Sequence, residues 1–362
     1  MTDKDIGQLL GGEAFHGGID LEELAHHGVS PEQVIDFSSN ILPFGPSPLV
    51  RIAVQEAALD RYPDRECRQL RQAIAGLHAI DERRILVGNG STELIHLVAH
   101  TLLKPADSSL IVGPTFSEYA RATRLGSGMV HECRAMADNG FAVPVSEIES
   151  LLKQNSLALV WICNPNNPTG QLIPRDFVLR WVKLHPRTLF VVDESYLDFS
   201  DTTMSLMRSN FANLVVLRSM TKTYAIAGLR LGFAVMSPEV LSRLRQRRIP
   251  WNVSSPAQAA GIAAIMDEAY YSSALAQLRE AKKRFVSDLA TRGRQPVPSD
   301  TNFFLLPINN ASAVRSQLLV QGFVVRDCAS FGIHDHLRLA VLAPEHNHRL
   351  SVLLSTSPLL GV

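Results

Sequence analysis

Apolar residues run in unbroken blocks through the middle of this 362-residue chain. "RILVGNG", "SSLIVGPT", "LALVWICNP", "TLFVVDES", "NLVVLRS" and "LRLGFAV" are apolar throughout rather than alternating. Such runs mark strands buried on both faces. Helical patterns fall between them, as in "STELIHLVAHTLL" and "FSEYARATRL". The alternation predicts an α/β domain with a mostly parallel central sheet between helices. After about residue 245 the texture changes. A long charged helix pattern over 270–292 leads into "NFFLLPI", "FVVRDCA" and "LRLAVLA", which read as strands of a smaller α/β domain. The first 45 residues lack strong periodicity and read as an arm containing "FHGG" and "SSNILPFGPSP". The expected organisation is an arm over 1–45 that contributes to the site, a large domain over 46–245 and a small C-terminal domain over 246–362.

Composition adds exclusions. Hydrophobic residues make up 46% of the chain, and 35 Lys and Arg balance 35 Asp and Glu. That is a compact globule with no general attraction for nucleic acid or anionic membrane. The one basic run, "RLRQRR" (243–248), follows an apolar-periodic stretch and reads as a solvated helix face. No apolar run reaches bilayer-spanning length. "MTDKDIGQLLGG" lacks the basic-then-apolar order of a secretory signal. Cys67, Cys133, Cys163 and Cys328 are scattered, with no CxxC pair and no disulfide framework. A cytoplasmic protein of enzyme size is expected.

Chemistry concentrates at the carboxyl ends of the predicted strands, where ligands of open parallel sheets bind. In "VGNGSTEL" (87–94) a strand turns through Gly88 and Gly90 into a helix that opens with Ser91 and Thr92. Amides at a helix N-terminus plus two hydroxyls make a phosphate cradle; the same letters also spell an ordinary capping box. "NPNNPTG" (164–170) is either a plain turn or a device that holds an Asn against an aromatic hydroxyl or ring oxygen. "VVDESYLDF" (191–199) puts Asp193 at the end of an apolar strand, where a buried carboxylate needs a cationic partner, with Tyr196 close behind. "GPTFSEY" (113–119) offers Phe116 for stacking on a ring or for core packing. "SMTKTYAIAGLRLG" (219–232) then holds Ser219, Lys222 and Arg230 in one small, apolar segment. Ser219 and Arg230 suit a phosphate, and Lys222 suits an aldehyde, because burial near cations lowers a lysine pKa and leaves a usable nucleophile. Aldehyde, phosphate, ring nitrogen and phenolic oxygen together describe pyridoxal 5′-phosphate (PLP).

These residues resemble the fold-type I PLP-dependent enzymes of the aminotransferase class I/II group. The resemblance rests on "GST" at 90–92, "NPTG" with Asn167, Asp193 with Tyr196, and Ser219-x-x-Lys222 with Arg230. It implies a large PLP domain, a small domain and a homodimer with shared active sites. By the same resemblance Tyr62 in "RYPD" would reach the partner's cofactor phosphate, and Arg338 in "HLRLAV" would be the substrate-anion arginine. Lys222, Asp193 and Tyr196 would be the catalytic set. The "HDH" (334–336) and "HNH" (346–348) runs lack the further ligands of a metal site, and none is expected.

Two branches share most of this. Histidinol-phosphate aminotransferases have similar "RYP", "PNNPTG" and lysine segments. L-threonine O-3-phosphate decarboxylases of cobalamin biosynthesis look closer at "HGG" (16–18), "DFSSNILPFG" (36–45), "RRIPWNVSSPAQAA" (247–260) and "VRDCASFG" (325–332). The expectation is thus decarboxylation of L-threonine O-3-phosphate to (R)-1-amino-2-propanol O-2-phosphate. The alternative is a histidinol-phosphate or related aminotransferase. Either substrate is a phosphorylated amino acid or amine, with His16, Asn40, Arg326 and Arg338 as its expected contacts.

Overall fold

The computed structural model describes residues 17–201 and 205–356. Seven strands form the central sheet: β2 (Ile85–Gly88), β3 (Ser108–Gly113), β4 (Met129–Arg134), β5 (Leu157–Cys163), β6 (Leu189–Asp193), β7 (Leu214–Ser219) and β8 (Gly232–Val235). Their spatial order is β2-β8-β7-β6-β5-β3-β4. Neighbours from β7 through β6, β5 and β3 to β4 pair in parallel, and β8 runs antiparallel to both β7 and β2. The apolar blocks explain this order, because residues of β2, β6, β7 and β8 are covered on both faces. Two hydrophobic cores result, one on each face of the sheet. Val160, Ile162, Val192 and Val216 belong to one; Leu159, Trp161, Val191 and Val215 belong to the other. Each such side chain contributes about 1.5–3 kcal/mol when fully buried. Strand β4 escaped the sequence pattern because it lies at the sheet edge and only Cys133 of its six residues is buried.

A second sheet carries β9 (Phe303–Pro307), β11 (Arg326–Asp327) and β12 (His336–Ala340) in the antiparallel order β11-β12-β9. It follows the 24-residue helix Glu268–Thr291, close to the span that the charged pattern predicts. The N-terminal segment is more structured than its lack of periodicity implies. Residues Leu21–His26 form a helix capped by the Asp20 side chain. Strand β1 (Ile35–Asp36) then pairs in parallel with β10 (Phe323–Val324). Glu23 makes two 2.6 Å bonds to Arg315, and Leu24 packs with Leu319 and Val324. The segment is thereby fastened to the C-terminal part of the chain.

Candidate active site

The helix Gly90–Leu102 starts directly at the end of β2. Gly90 has φ +77°, and a Cβ there would stand 2.9 Å from Arg230 Nη2, so the guanidinium lies across the start of the helix only because Cβ is missing. Gly232 plays a similar part: its Cβ would stand 2.7 Å from the Ser91 nitrogen. Ser219 is the register partner of Gly232 across β7 and β8. Gly90, Ser91, Ser219 and Arg230 are therefore gathered at one helix N-terminus, with Thr92 in its first turn. The capping-box reading has a share as well, since Glu93 accepts from the Asn89 backbone N–H.

Asp193 ends β6 and is 4% exposed. Its carboxylate accepts from the Tyr119 hydroxyl at 2.8 Å and from the Ser195 N–H at 3.0 Å. Burial pushes its pKa up, while the Ser195 and Tyr119 hydrogen bonds oppose the rise. Tyr119 was not legible as a site residue. Its only sequence signal was its position three residues beyond Phe116, which the helix Glu118–Leu125 turns into an edge-on ring contact of 5.7 Å. Behind it Trp161 stacks on Tyr119 at 5.3 Å.

Lys222 lies in the one-turn helix Met220–Thr223 directly after β7. Burial, then Arg338 and Arg230, lower its pKa to about 8. Tyr196 is buried against Phe303, and burial lifts its phenol to about 12, with Arg338 and Asn40 acting in the opposite direction. Arg338 on β12 donates from Nη1 to Asn167 Oδ1 at 2.6 Å and from Nη2 to the Ser38 carbonyl. Asn167, Asn40, Tyr196, Lys222 and Arg338 thus converge from both parts of the chain. Arg326 is the register partner of Arg338 across β11 and β12, and it donates to Ser330 Oγ at 2.6 Å.

Two expected residues stand differently. Tyr62 is 79% exposed and stacks on Trp251 at 4.8 Å, apart from this group. His16 lies outside the described residues. The neighbouring Gly17 is described: a Cβ there would meet the Ser38 carbonyl at 2.4 Å and Arg338 Nη2 at 3.0 Å. Gly18 donates to Ser38 Oγ at 2.8 Å. Gly17 therefore lies against Ser38 and Arg338.

These residues suit PLP on three counts. The amides at Gly90 and Ser91, with the Arg230 guanidinium, form an anion cradle that a Cβ on Gly90 would fill. Asp193 is a buried carboxylate hydrogen-bonded by neutral donors, and a protonated ring nitrogen would supply a cationic partner. Arg338 Nε is buried with no hydrogen-bond partner among the described residues. Polar atoms so placed are costly unless a ligand meets them. Among the described residues no group of three His, Cys, Asp or Glu could hold a metal ion, and no helix is long and apolar enough to cross a membrane.

Comparison with known proteins agrees with this geometry. The family model for aminotransferase class I and II matches residues 32–353. The histidinol-phosphate aminotransferase of Moorella thermoacetica is 33% identical over 343 residues, 92% of this chain and 87% of that protein. Among solved structures, the histidinol-phosphate aminotransferase of Sinorhizobium meliloti, in complex with pyridoxal-5′-phosphate, superposes with a TM-score of 0.85 at 22% identity. That alignment covers 93% of this chain and 94% of the other. The L-threonine-O-3-phosphate decarboxylase of Porphyromonas gingivalis gives a TM-score of 0.77 at 27% identity, over 88% of this chain and 98% of the other. With its phosphate cradle, buried carboxylate and low-pKa lysine at the strand ends, this chain belongs to the class I and II aminotransferase family and is a PLP-dependent enzyme.

Proposed function

We propose that the enzyme acts on a small phosphorylated amine and that it transfers the amino group, with histidinol phosphate as the substrate. The carrying observation is the pair Arg326 and Arg338, register partners on adjacent antiparallel strands beside Asn167. Burial lowers both pKa values, and Arg338 lowers that of Arg326 further. Two cations placed opposite each other in a sheet repel. A phosphate dianion offsets that repulsion and takes bidentate bonds from guanidinium groups. The direction of the chemistry draws its support from relatives such as the Moorella protein, which is named as a histidinol-phosphate aminotransferase.

In this reading the Gly90–Thr92 segment, Ser219 and Arg230 hold the cofactor phosphate. Asp193 would partner the ring nitrogen, Tyr196 and Asn167 would partner the phenolic oxygen, and Phe116 would supply an aromatic face for the ring. When bound, PLP supplies an electron sink for charge that develops at the substrate Cα. Lys222, with its pKa near 8, carries the proton to or from that carbon as a general base and acid. Arg338, bonded to Asn167, orients the substrate anion against the cofactor site.

Decarboxylation of L-threonine O-3-phosphate is the second reading, and two specific observations favour it. Gly17 of the "HGG" run lies against Arg338, and the Porphyromonas decarboxylase aligns at 27% identity over nearly its whole length. If both arginines hold the phosphate, neither remains to hold a Cα carboxylate, and that group would be left to depart as CO2. The deciding assay supplies histidinol phosphate with 2-oxoglutarate and, separately, L-threonine O-3-phosphate. Glutamate formation in the first supports transfer; CO2 and aminopropanol phosphate in the second, without glutamate in the first, replace it with decarboxylation.

The working form proposed is a homodimer. Leu59, Tyr62 and Met266 are 84%, 79% and 75% exposed, and Tyr62 and Met266 border a cavity of about 700 Å³ between the segments 53–69 and 255–266. An apolar surface of this kind suits a second copy. Sedimentation that returns only an active monomer would rule it out.

A further inference from the structure

We propose that Arg218, Glu194, Asp198 and Thr223 are positioning residues for the reaction, forming a buried ionic clamp that fixes Lys222 relative to Asp193 and Tyr196. The proposal rests on the reading of those three as the catalytic set. Each clamp residue is a chain neighbour of a site residue. Glu194 follows Asp193, Asp198 lies two beyond Tyr196, Arg218 precedes Ser219, and Thr223 follows Lys222. Successive residues at a strand end point to opposite faces. At the ends of β6 and β7, Glu194 and Arg218 thus point away from Asp193 and Ser219, and hydrogen bonds and ion pairs bring Asp198 and Thr223 to them.

The bonds are specific. Arg218 is 5% exposed; its Nη2 pairs with Asp198, and its Nη1 lies 3.6 Å from Glu194 Oε2. Glu194 also accepts from the Ser205 hydroxyl and, at 2.8 Å, from the Leu206 N–H. Asp198 Oδ2 accepts from the Thr223 hydroxyl at 2.8 Å. One guanidinium therefore ties together the segment after β6, the loop that carries Tyr196 and, through Asp198, the turn that carries Lys222. Buried ion pairs of this sort are weak devices for stability, because desolvation offsets much of the attraction. Their strength is directional: a planar fork accepts few arrangements of its carboxylates. The helix Met220–Thr223 is a single turn and cannot hold its own orientation. An external anchor at Thr223 supplies what the helix lacks.

Thr223→Val is the test, because it removes one hydroxyl and keeps the shape. Asp198 keeps Arg218, and its side chain is 31% exposed, so water can replace the lost donor. Apo-protein is mixed with PLP and quenched with borohydride, and the rate of label capture at Lys222 is followed by peptide mass. The expected result is a rate ~10–100-fold below the parent's, as small misplacements of reacting groups produce. Turnover should fall in kcat with KM little changed, and Thr223→Ser should restore both. Acetylation of Lys222 in the apo-protein as a function of pH adds a second readout. Its midpoint, about 8 in the parent, should move up as Lys222 drifts from Arg338 and Arg230. Parent-like capture and an unmoved midpoint in Thr223→Val overturn the proposal. If that variant fails to fold, Arg218→Lys takes its place, since the cation is kept and the fork is lost; parent-like capture in it is equally fatal. A parent that takes no label at Lys222 sinks the cofactor assignment instead, which separates the two failures.

Discussion

Tyr119 donates its hydroxyl to Asp193 Oδ2 at 2.8 Å, and its ring is held between Phe116, edge-on at 5.7 Å, and Trp161, stacked at 5.3 Å. The phenol is thereby fixed by packing on both sides. A hydrogen bond to a charged group is worth about 1.5–3 kcal/mol. Tyr119→Phe keeps the packing and removes that bond. Burial already pushes the Asp193 pKa up, and the tyrosine opposes it, so the variant's carboxyl should rise further. The acid limb of the kcat profile should move to higher pH, with the cofactor's visible absorbance shifting over the same range. An unchanged profile would show that Tyr119 only packs.

Lys222 gives a pH dependence with a definite sign. Its pKa falls from 10.5 to about 8 through burial and the two arginines. Between those values the unfolded apo-protein binds more protons than the folded one, so this group makes stability increase as pH rises through that window. Below pH 8 the benefit is absent, because the charged amine is buried. Capture of PLP by apo-protein should increase with pH and level off above about 8. Replacing Arg338 by Met removes one depressing cation and should raise the midpoint. A midpoint that stays put would separate Arg338 from the lysine's electrostatics.

Gly90→Ala tests the phosphate cradle. The backbone there has φ +77°, and the new Cβ would stand 2.9 Å from Arg230 Nη2. Alanine at positive φ costs about 1 kcal/mol or more, and the guanidinium must also withdraw. We expect a lower melting temperature for the apo-protein and a weaker PLP dissociation constant by equilibrium dialysis. Gly140, at φ +66° with open space around its Cβ position, is the control: Gly140→Ala should lose stability but not PLP affinity.

Much of the site was legible because its chemistry lies where strands end. Asp193 and Ser219 end unbroken apolar runs, and Lys222 lies three residues beyond the second. Gly90 marked the cradle in the sequence, whereas the close approach of Gly232 to the Ser91 nitrogen emerges only from the fold. What was not legible depends on distant pairing. Nothing in "SSN" announces that the Ser38 carbonyl meets Arg338, 300 residues away. The register that sets Arg326 opposite Arg338 comes from β11 and β12, two short strands joined through a loop. The pairing of β1 with β10 was hidden too, because two residues are too few to show a period. Arg218 looked like an ordinary strand residue, and only the fold sets it between two acids.

The arginine pair yields a prediction that discriminates by substrate. Arg326 and Arg338 face the same side of the sheet as register partners, and Arg338 is also bonded to Asn167 at 2.6 Å. Arg338 therefore has two duties, whereas Arg326 lies with Ser330 and the Phe331 ring 5.5 Å away. Arg326→Gln removes one cation while keeping a donor. If the pair holds the substrate phosphate, KM for the phosphorylated substrate should rise strongly, because truncating a buried charged pair costs about 2–5 kcal/mol. The PLP dissociation constant should not change. The same variant assayed with the corresponding unphosphorylated amine should match the parent, since that substrate never engaged Arg326. Arg338→Gln should impair both substrates, because the Asn167 contact is lost as well. Equal losses on phosphorylated and unphosphorylated substrates in Arg326→Gln would mean that the arginine supports the strand and does not read the phosphate.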